Sequence, residues 1–419
     1  MVTILQGDCL EVLKTLPSES VHCVISSPPY WGLRDYSVCS CIKIRPRERS
    51  GIALVPRGGH DPNLIEPSEV HAKPAPDPDC SLCRGTGRDK DISAKQMGLE
   101  NTPDEYVAKL VEVFREVRRV LRRDGTCFIV LGDSFYGSGK GGGGSYAKDG
   151  MTRSNSHSSL QKLTLKPKDL VGIPWRVAFA LQADGWWLRS DIIYAKSNPM
   201  PESVTDRPTR SHEYVFLLTK TAHYFYDAEA IQEPIADSTI NDARKGSLPG
   251  RKDGPGQNRR GKGDRIHGNL PGRDDGGAAC NRQDQLYRNK RDVWTIASAP
   301  FSGAHFAVFP PDLVRPCLRA GSSEHGCCPD CGSPWERVSD GTYQVKTTGW
   351  RPTCKCPPKE PVSCTILDPF AGAFTTSLVA EEEGRNSIGI ELSKSYCEMG
   401  RDRCSQMGLF CRCTITQKS

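Results

Sequence analysis

The chain has 419 residues, of which 37% are hydrophobic and 25% are charged, and its formal net charge is +6 at pH 7. This length allows one large domain with insertions or two domains, but no stretch approaches the roughly 20 consecutive apolar residues of a membrane span, and the N-terminus lacks a signal-peptide pattern. We therefore expect a cytoplasmic protein with no membrane partner, whose modest positive charge permits a polyanionic one.

In chain order, the first pattern is a strand, a helix and a second strand within residues 1–36. A short apolar run over 2–5 precedes a helical period over 9–16, and a second apolar run over 21–25 leads to Ser26 and then to Ser27-Pro28-Pro29-Tyr30. Residues 37–91 are polar and rich in proline. We interpret them as an insertion.

Residues 92–230 return to regular patterns. Thr102-Pro103-Asp104-Glu105 is an N-cap signature, and the apolar stripe after it predicts a helix that runs to Leu121 and is stopped by Gly125. The next predicted elements are a buried strand over 126–131, a helix over 174–183 and strands over 187–194 and 214–219.

Residues 231–292 break the pattern again. They are rich in Gly, Asn, Asp and Arg and have almost no apolar periodicity. We expect a loop there that is either mobile or ordered by a partner. A helix near 311–320 follows it.

The last part of the chain predicts a strand-turn-helix-strand unit. An apolar strand over 364–367 leads to Asp368-Pro369-Phe370-Ala371-Gly372, then to a helix over 375–383 and a strand that ends in Glu391. The spacing from Asp368 to Glu391 is typical of doubly wound sheets, in which the second acidic residue accepts hydrogen bonds from a ribose. Because the turn has only Gly372 in place of the glycines that approach a pyrophosphate, it suits S-adenosylmethionine better than a dinucleotide. An ordinary strand-turn-helix is the alternative.

The Ser27-Pro28-Pro29-Tyr30 segment follows a strand at the end where open α/β sheets place their sites. An exocyclic amino nitrogen is a poor nucleophile because its lone pair is delocalised into the ring of the base. A rigid Pro28 carbonyl and the Ser27 hydroxyl would accept its hydrogen bonds, and Tyr30 would stack on a base that has left the duplex. A strand terminator with a packing tyrosine is the alternative.

Together these motifs resemble the site-specific DNA amino-methyltransferases, which act on cytosine N4 or adenine N6. The catalytic motif precedes the cofactor motif, as in the β group of that family. The stretch from 198–203 through 212–213 and the segment 305–310 look like family blocks that frame the base and cofactor pockets. The resemblance implies an α/β fold with a Rossmann-like, mixed and mostly parallel sheet, helices on both faces and Cys-rich insertions. It also implies S-adenosyl-L-methionine as cofactor and double-stranded DNA as partner, and it allows a homodimer and a cognate restriction endonuclease.

The resemblance also implies roles for individual residues. Ser27, Pro28, Pro29 and Tyr30 would be catalytic; Asp8 would contact the cofactor adenine, Phe370 and Gly372 its methionine side, and Glu391 its ribose. The other expected cofactor-binding residues are Asp368, Thr375 and Thr376. Phe374 departs from the family, which usually has a small residue there, and a bulky side chain would narrow the turn. Ser27 favours cytosine N4 as the target, with adenine N6 as the alternative base. For the function as a whole, the alternatives are a non-catalytic DNA-binding protein and the methylation of RNA or protein.

The resemblance divides the chain into interleaved pieces. Residues 1–36 and 92–230 would form the catalytic half of one domain, and residues 293–320 and 361–419 its cofactor-binding half. We assign target recognition to the basic region 231–292, with a solvated linker as the alternative. Its residues that could contact phosphates or guanine edges are Arg244, Lys245, Arg251, Lys252, Arg259 and Arg260.

The chain has 19 cysteines, and in a reducing compartment close pairs more often hold metal than form disulfides. Cys328, Cys331, Cys354 and Cys356, within a ribbon-like insertion over 321–360, have the spacing of a structural zinc site, and Cys327 could replace Cys328. Cys39, Cys41, Cys80 and Cys83 form a second candidate zinc set in the insertion 37–91, with His60 and His71 as replacements. Free cysteines in loops are the alternative, whereas Cys127 and Cys364 are expected in the core.

Overall fold

The computed structural model describes residues 1–32, 92, 95–136, 165–235, 287–299, 308–340, 346–405 and 413–417. The predicted insertion 37–91, with Cys39, Cys41, Cys80 and Cys83, lies outside these residues. So does most of the region 231–292, including its six named basic residues.

Strands and helices alternate along much of the described chain. The strands are β1 (Val2–Gln6), β2 (Val21–Ser26), β3 (Leu121–Leu131), β4 (Trp187–Lys196), β5 (His212–Thr219), β6 (Glu233–Pro234), β7 (Tyr287–Arg288), β8 (Val293–Ile296), β9 (Trp335–Asp340), β10 (Lys346–Pro352), β11 (Thr365–Asp368), β12 (Asn386–Glu391) and β13 (Cys413–Gln417). The helices are α1 (Cys9–Lys14), α2 (Pro103–Val120), α3 (Ile173–Ala183), α4 (Pro311–Gly321), α5 (Thr375–Glu382) and α6 (Lys394–Ser405), with a short 3-10 turn at Glu229–Ile231.

Within the described residues, the main sheet has the strand order β13-β1-β12-β11-β2-β3-β5-β4-β8. Its pairs are parallel except those that β5 makes with β3 and β4, which are antiparallel. The mixed, mostly parallel sheet of the sequence analysis is therefore confirmed. No described helix is long and apolar enough to cross a bilayer.

Alternate residues of the strands face opposite sides of this sheet, and helices cover both. In β3, Cys127, Ile129 and Leu131 belong to a core cluster with apolar residues of α1, α2 and α3. Phe128 and Val130 belong to a second cluster, with residues of α4 and α5. Helix α6 packs with β1 in a third cluster. The prediction of helices on both faces is confirmed.

Of the two predictions about the ends of helix α2, one is confirmed and the other is wrong. The Thr102 hydroxyl accepts a hydrogen bond from the Glu105 amide (3.1 Å), so the predicted N-cap is confirmed. The prediction that Gly125 stops the helix is wrong, because the chain is already extended at Leu121 and Gly125 lies inside β3. A Cβ at Gly125 would lie 2.5 Å from Leu121 Cδ1 and 2.8 Å from the His22 carbonyl. The glycine therefore allows close strand packing.

Strand direction defines two edges of the sheet. The edge at which β1, β2, β3, β11 and β12 end is called the carboxyl edge. Because β4 runs parallel to β3 and β5 runs against both, the end of β4 and the start of β5 also reach this edge. The opposite edge, at which β2, β3, β4 and β11 begin, is called the amino edge.

Candidate active site at the carboxyl edge

The turn formed by Ser27 to Tyr30 leaves the end of β2 and is held from behind by α2. The Tyr106 hydroxyl of α2 donates a hydrogen bond to the Pro29 carbonyl (2.8 Å). Among the described residues none donates a hydrogen bond to the carbonyl of Pro28, which the sequence predicted as an acceptor for the substrate. The turn is therefore fixed through one proline carbonyl and leaves the other available.

Tyr30 is oriented by contacts at both ends of its side chain. Its ring lies against Gly132, where a Cβ would be 2.6 Å from Tyr30 Cε2. Its hydroxyl donates to Glu213 Oε2 (2.9 Å) and accepts from the Ser27 hydroxyl (3.4 Å). Burial and the carboxylate of Glu213 raise the pKa of Tyr30, so the phenol stays protonated and remains a donor.

Glu213 and Lys196 were not predicted as site residues. Lys196 Nζ donates to Glu213 Oε1 over 2.5 Å, and the two side chains are 28% and 18% exposed. Lys196 is the last residue of β4 and Glu213 the second residue of β5, so only the antiparallel course of β5 brings the pair to Tyr30. The one sequence signal is the family block through His212 and Glu213, which is predicted to frame the base and cofactor pockets.

Asp368 lies inside the protein, 1% exposed, and joins the two predicted motifs. Its Oδ1 accepts hydrogen bonds from the Ser26 hydroxyl (2.5 Å) and the Phe370 amide (3.1 Å). Its Oδ2 accepts one from the Thr376 hydroxyl (2.9 Å). Burial raises the pKa of Asp368 to about 6. The carboxylate thus holds the end of β2 against the turn that follows β11.

Glu391 ends β12 beside this turn. Its Oε2 accepts a hydrogen bond from the Gly372 amide (3.0 Å) and its Oε1 one from the Ser393 amide (2.8 Å). Burial raises the pKa of Glu391 to about 7. Asp8, which follows β1, accepts from two amides of α1 and caps that helix. Three acidic residues therefore follow or end three adjacent strands.

This arrangement fits a cationic nucleoside. Carboxylates can accept hydrogen bonds from ribose hydroxyls and attract the positive charge of a sulfonium, which would also favour their ionised forms. Gly372 has a positive φ of 49°, which few other residues adopt without strain. The structure thus brings Asp8, Asp368, Phe370, Gly372 and Glu391 to one place, beside the turn at Ser27.

The other residues of the predicted cofactor turn lie deeper. Thr375 and Thr376 are 2% and 1% exposed, and the Thr375 hydroxyl accepts from Arg403 Nη1 (3.0 Å). Phe374 is fully buried, and a Cβ at Gly400 or at Gly389 would overlap its ring. The large side chain predicted to narrow the turn is therefore accommodated in the core between β12 and α6, where these two glycines make room for it.

The later cysteine set lies at the amino edge. The sulfur atoms of Cys328, Cys331, Cys354 and Cys356 are within 4.8 Å of one another, which suits a tetrahedral metal ion. Arg122, near the start of β3, donates to the Cys331 carbonyl (2.6 Å). The cluster is thus attached to the sheet on the side away from Tyr30.

Cys327 belongs to a different group, with His22 and Cys364, all buried. His22 accepts from the Thr365 amide at Nδ1 (3.0 Å), and its Nε2 is 2.8 Å from the Gly332 carbonyl, to which it donates in the neutral tautomer. Both ring nitrogens are therefore occupied. His22 fastens the cysteine loop to β2 and β11, a contact that the sequence did not predict.

Comparisons with known proteins relate the chain to DNA methyltransferases. A family model described as DNA methylase matches residues 21–402. The chain is 34% identical over 401 residues to the type II methyltransferase M.XycI of Xanthomonas campestris pv. cyanopsidis, covering 96% of this chain and 87% of the relative. It is 33% identical to M.Cfr9I of Citrobacter freundii, with the same coverage. A solved structure, the PvuII DNA methyltransferase (cytosine-N4-specific), is 14% identical and covers 96% of this chain and 86% of that one, with a TM-score of 0.47.

Proposed function

We propose that this chain, which belongs to the DNA methylase family and is a site-specific, S-adenosylmethionine-dependent DNA amino-methyltransferase, methylates the N4 amino group of cytosine. The observation that carries this choice is Ser27 at the first position of the catalytic motif. Serine is the residue usually met there in cytosine-N4 enzymes, whereas aspartate usually accompanies adenine N6, which is the alternative.

The available acceptors of the turn suit an amino group. We propose that the Pro28 carbonyl and the Ser27 hydroxyl accept the two N–H groups of the flipped base. These bonds would direct the nitrogen lone pair out of the plane of the base, where it can attack a methyl group. Since the reaction is an in-line displacement, the main task of the protein is positioning.

Tyr30 supplies the stacking surface in this proposal. Its ring offsets part of the unstacking energy, a few kcal/mol, that is needed to extrude a base. Glu213, held by Lys196, fixes the orientation of that ring through the tyrosine hydroxyl. We therefore assign Glu213 as a positioning residue that acts through Tyr30.

The cofactor residues complete the site. When bound, S-adenosylmethionine supplies an electrophilic methyl group on a positively charged sulfur. We propose that Glu391 binds the ribose, that Asp8 and the segment from Phe370 to Gly372 bind the remaining parts, and that Asp368 holds the two motifs in register. Thr375 and Thr376, which are also predicted cofactor residues, are buried beneath the turn and would contribute by supporting it.

We further propose that Cys328, Cys331, Cys354 and Cys356 hold a structural zinc ion. Four cysteines with nearby sulfurs are typical of closed zinc sites, which contribute to folding. Their position at the amino edge supports a role apart from methyl transfer. A zinc site in 37–91, target recognition by 231–292, and the interleaved domain division remain predictions.

The target base can be tested directly. Unmethylated bacterial DNA would be incubated with the protein and S-adenosylmethionine, digested to nucleosides and analysed by mass spectrometry. We expect N4-methylcytosine nucleoside and no increase in N6-methyladenine nucleoside. The reverse result would refute the cytosine proposal and leave the DNA amino-methyltransferase function intact.

A further inference from the structure

Two arginines lie on the segment between β4 and β5, at the carboxyl edge. The guanidinium carbon of Arg207 is 3.8 Å from the centre of the Phe135 ring, and that of Arg210 is 5.9 Å from it. Arg207 is well bonded, since its Nη1 donates to Glu202 Oε2 (2.6 Å) and to the Pro208 carbonyl (3.0 Å). Arg207 is thus part of the framework of the segment.

Arg210 differs from its neighbour. Its Nε and Nη1 are buried and have no hydrogen-bond partner among the residues that the structure describes, while its Nη2 is 3.8 Å from Asp133 Oδ2. The Arg210 guanidinium and the Asp133 carboxylate therefore form an ion pair, but they are too far apart for a hydrogen bond. The Asp133 carboxylate is already engaged, because it accepts from the amides of Ser134, Gly172 and Ile173. The acid therefore offsets part of the charge and leaves the guanidinium donors unused.

An unsatisfied guanidinium is unfavourable in a folded protein. A guanidinium can donate two parallel hydrogen bonds to a phosphate, which makes arginine a frequent phosphate ligand. The Arg210 side chain is 18% exposed, and its Nη2, unlike the buried Nε and Nη1, is accessible, so an anion can approach the guanidinium at Nη2. The unused donors, the charge and this access are the properties of a phosphate-binding residue.

The position of Arg210 indicates which phosphate. Asp133 follows Gly132, on which the Tyr30 ring lies, and Glu213, three residues after Arg210, binds the Tyr30 hydroxyl. The guanidinium is therefore beside the proposed base pocket. When a nucleotide is flipped into such a pocket, its sugar and flanking phosphates are drawn toward the mouth.

We propose that Arg210 binds a backbone phosphate of DNA next to the flipped nucleotide. This inference rests on the DNA methyltransferase function but is independent of which base is methylated. A phosphate contact positions the DNA without reading its sequence. Arg210 would thus hold the target strand while the base enters the site.

The test compares Arg210→Gln with Arg189→Gln in the full-length protein. Arg189 is an exposed residue near the start of β4, at the amino edge, where its Nε donates to the Tyr224 hydroxyl (3.2 Å). Binding of a labelled DNA duplex is measured by fluorescence anisotropy at several salt concentrations. We expect R210Q to lower the slope of log affinity against log salt by about 0.9 in magnitude, the value for one phosphate contact, and R189Q to leave it unchanged.

Two further measurements separate this role from others. R210K keeps the charge and should keep the salt slope of the parent protein. The loss in R210Q should be equal on duplexes of unrelated sequence. An unchanged slope in R210Q, an equal loss in R210K, or a loss confined to the recognition sequence would overturn the proposal.

Thermal unfolding provides the last control. R210Q removes buried donors that have no partner among the described residues, but it also removes the ion pair with Asp133, so we expect a folded protein with a melting temperature close to that of the parent. A failure of R210Q to fold would also overturn the proposal, since the side chain would then be required by the fold. None of these measurements needs methyl transfer, so a wrong target base would leave their interpretation unaffected.

Discussion

The Ser26 hydroxyl donates a hydrogen bond to Asp368 Oδ1 over 2.5 Å, although 342 positions separate the two residues in the chain. Ser26 ends β2 immediately before the turn at Ser27, and Asp368 ends β11 immediately before the turn that leads to Gly372. One buried hydrogen bond thus sets the distance between the segment proposed to hold the base and the segment proposed to hold the cofactor.

Replacing Ser26 with alanine should destabilise the protein more at pH 8 than at pH 5. The hydrogen bond from Ser26 lowers the pKa of Asp368, which burial has already raised to about 6, so its loss raises that pKa further. The pKa of Asp368 is near 4 in an unfolded chain, so the protonated form favours the folded state. This contribution to stability is lost as the pH rises from about 4 through about 6. We expect a loss of about 1–3 kcal/mol at pH 8 in urea unfolding.

Ser20→Ala is the matched control for this prediction. Ser20 precedes β2, is half-buried, and its hydroxyl donates to the Pro17 carbonyl (2.8 Å). We expect a small effect that does not change with pH. Equal losses at the two pH values in Ser26→Ala would contradict the coupling to Asp368.

The affinity for S-adenosylmethionine should rise between pH 6 and pH 8. Burial raises the pKa of Glu391 to about 7, and the ionised carboxylate is the form that attracts a sulfonium and accepts bonds from a ribose. Affinity is therefore low below this pKa, rises by at most about tenfold per pH unit, and levels off above it. Calorimetric titration of the protein with the cofactor measures the dependence.

Glu391→Gln is the corresponding control. Glutamine keeps an oxygen that can accept from the Gly372 amide but cannot ionise. Its affinity should be weak and almost independent of pH in this range. A variant with the same pH profile as the parent protein would show that Glu391 is not the titrating group.

Glu213 should act through Tyr30. Glu213→Leu removes the acceptor for the tyrosine hydroxyl, and we expect methyl transfer to slow about tenfold, which corresponds to the loss of about 1.4 kcal/mol of positioning. Glu213→Gln keeps an acceptor and should retain most of the rate. Fluorescence of a base analogue at the target position would follow base flipping, and normal flipping in the leucine variant would argue against a positioning role.

The four clustered cysteines should bind one zinc ion per chain. We expect Cys328→Ser to contain one zinc fewer than the parent protein by elemental analysis, and to melt at a lower temperature. Cys404→Ala, which changes a buried cysteine outside both groups, should leave the zinc content unchanged. Equal zinc content in Cys328→Ser and the parent protein would refute the site.

Local patterns were sufficient for much of the fold and for both motifs. The turns after β2 and β11 could be predicted because each depends on an apolar strand followed within two residues by proline. The cap at Thr102 was likewise a local signal. The cysteine spacing also placed Cys328, Cys331, Cys354 and Cys356 in one group, as the structure has them.

The residues that were missed depend on contacts between distant segments. Glu213 reaches Tyr30 only because β5 runs antiparallel, and no spacing along the chain indicates that reversal. His22 appeared to be one residue of an apolar strand, and its two hydrogen bonds come from partners more than 300 positions away. Gly125 resembles a helix stop in the sequence, because the close approach of Leu121 and His22 that requires a glycine there is a tertiary feature.

The most direct test of the split site is methyl transfer from labelled S-adenosylmethionine to duplex DNA by the parent protein and by Tyr30→Ala. We expect transfer by the parent protein and loss of nearly all transfer in the variant, which should still bind DNA and the cofactor. An inactive parent protein, or a Tyr30→Ala variant that transfers methyl groups at the rate of the parent, would contradict it.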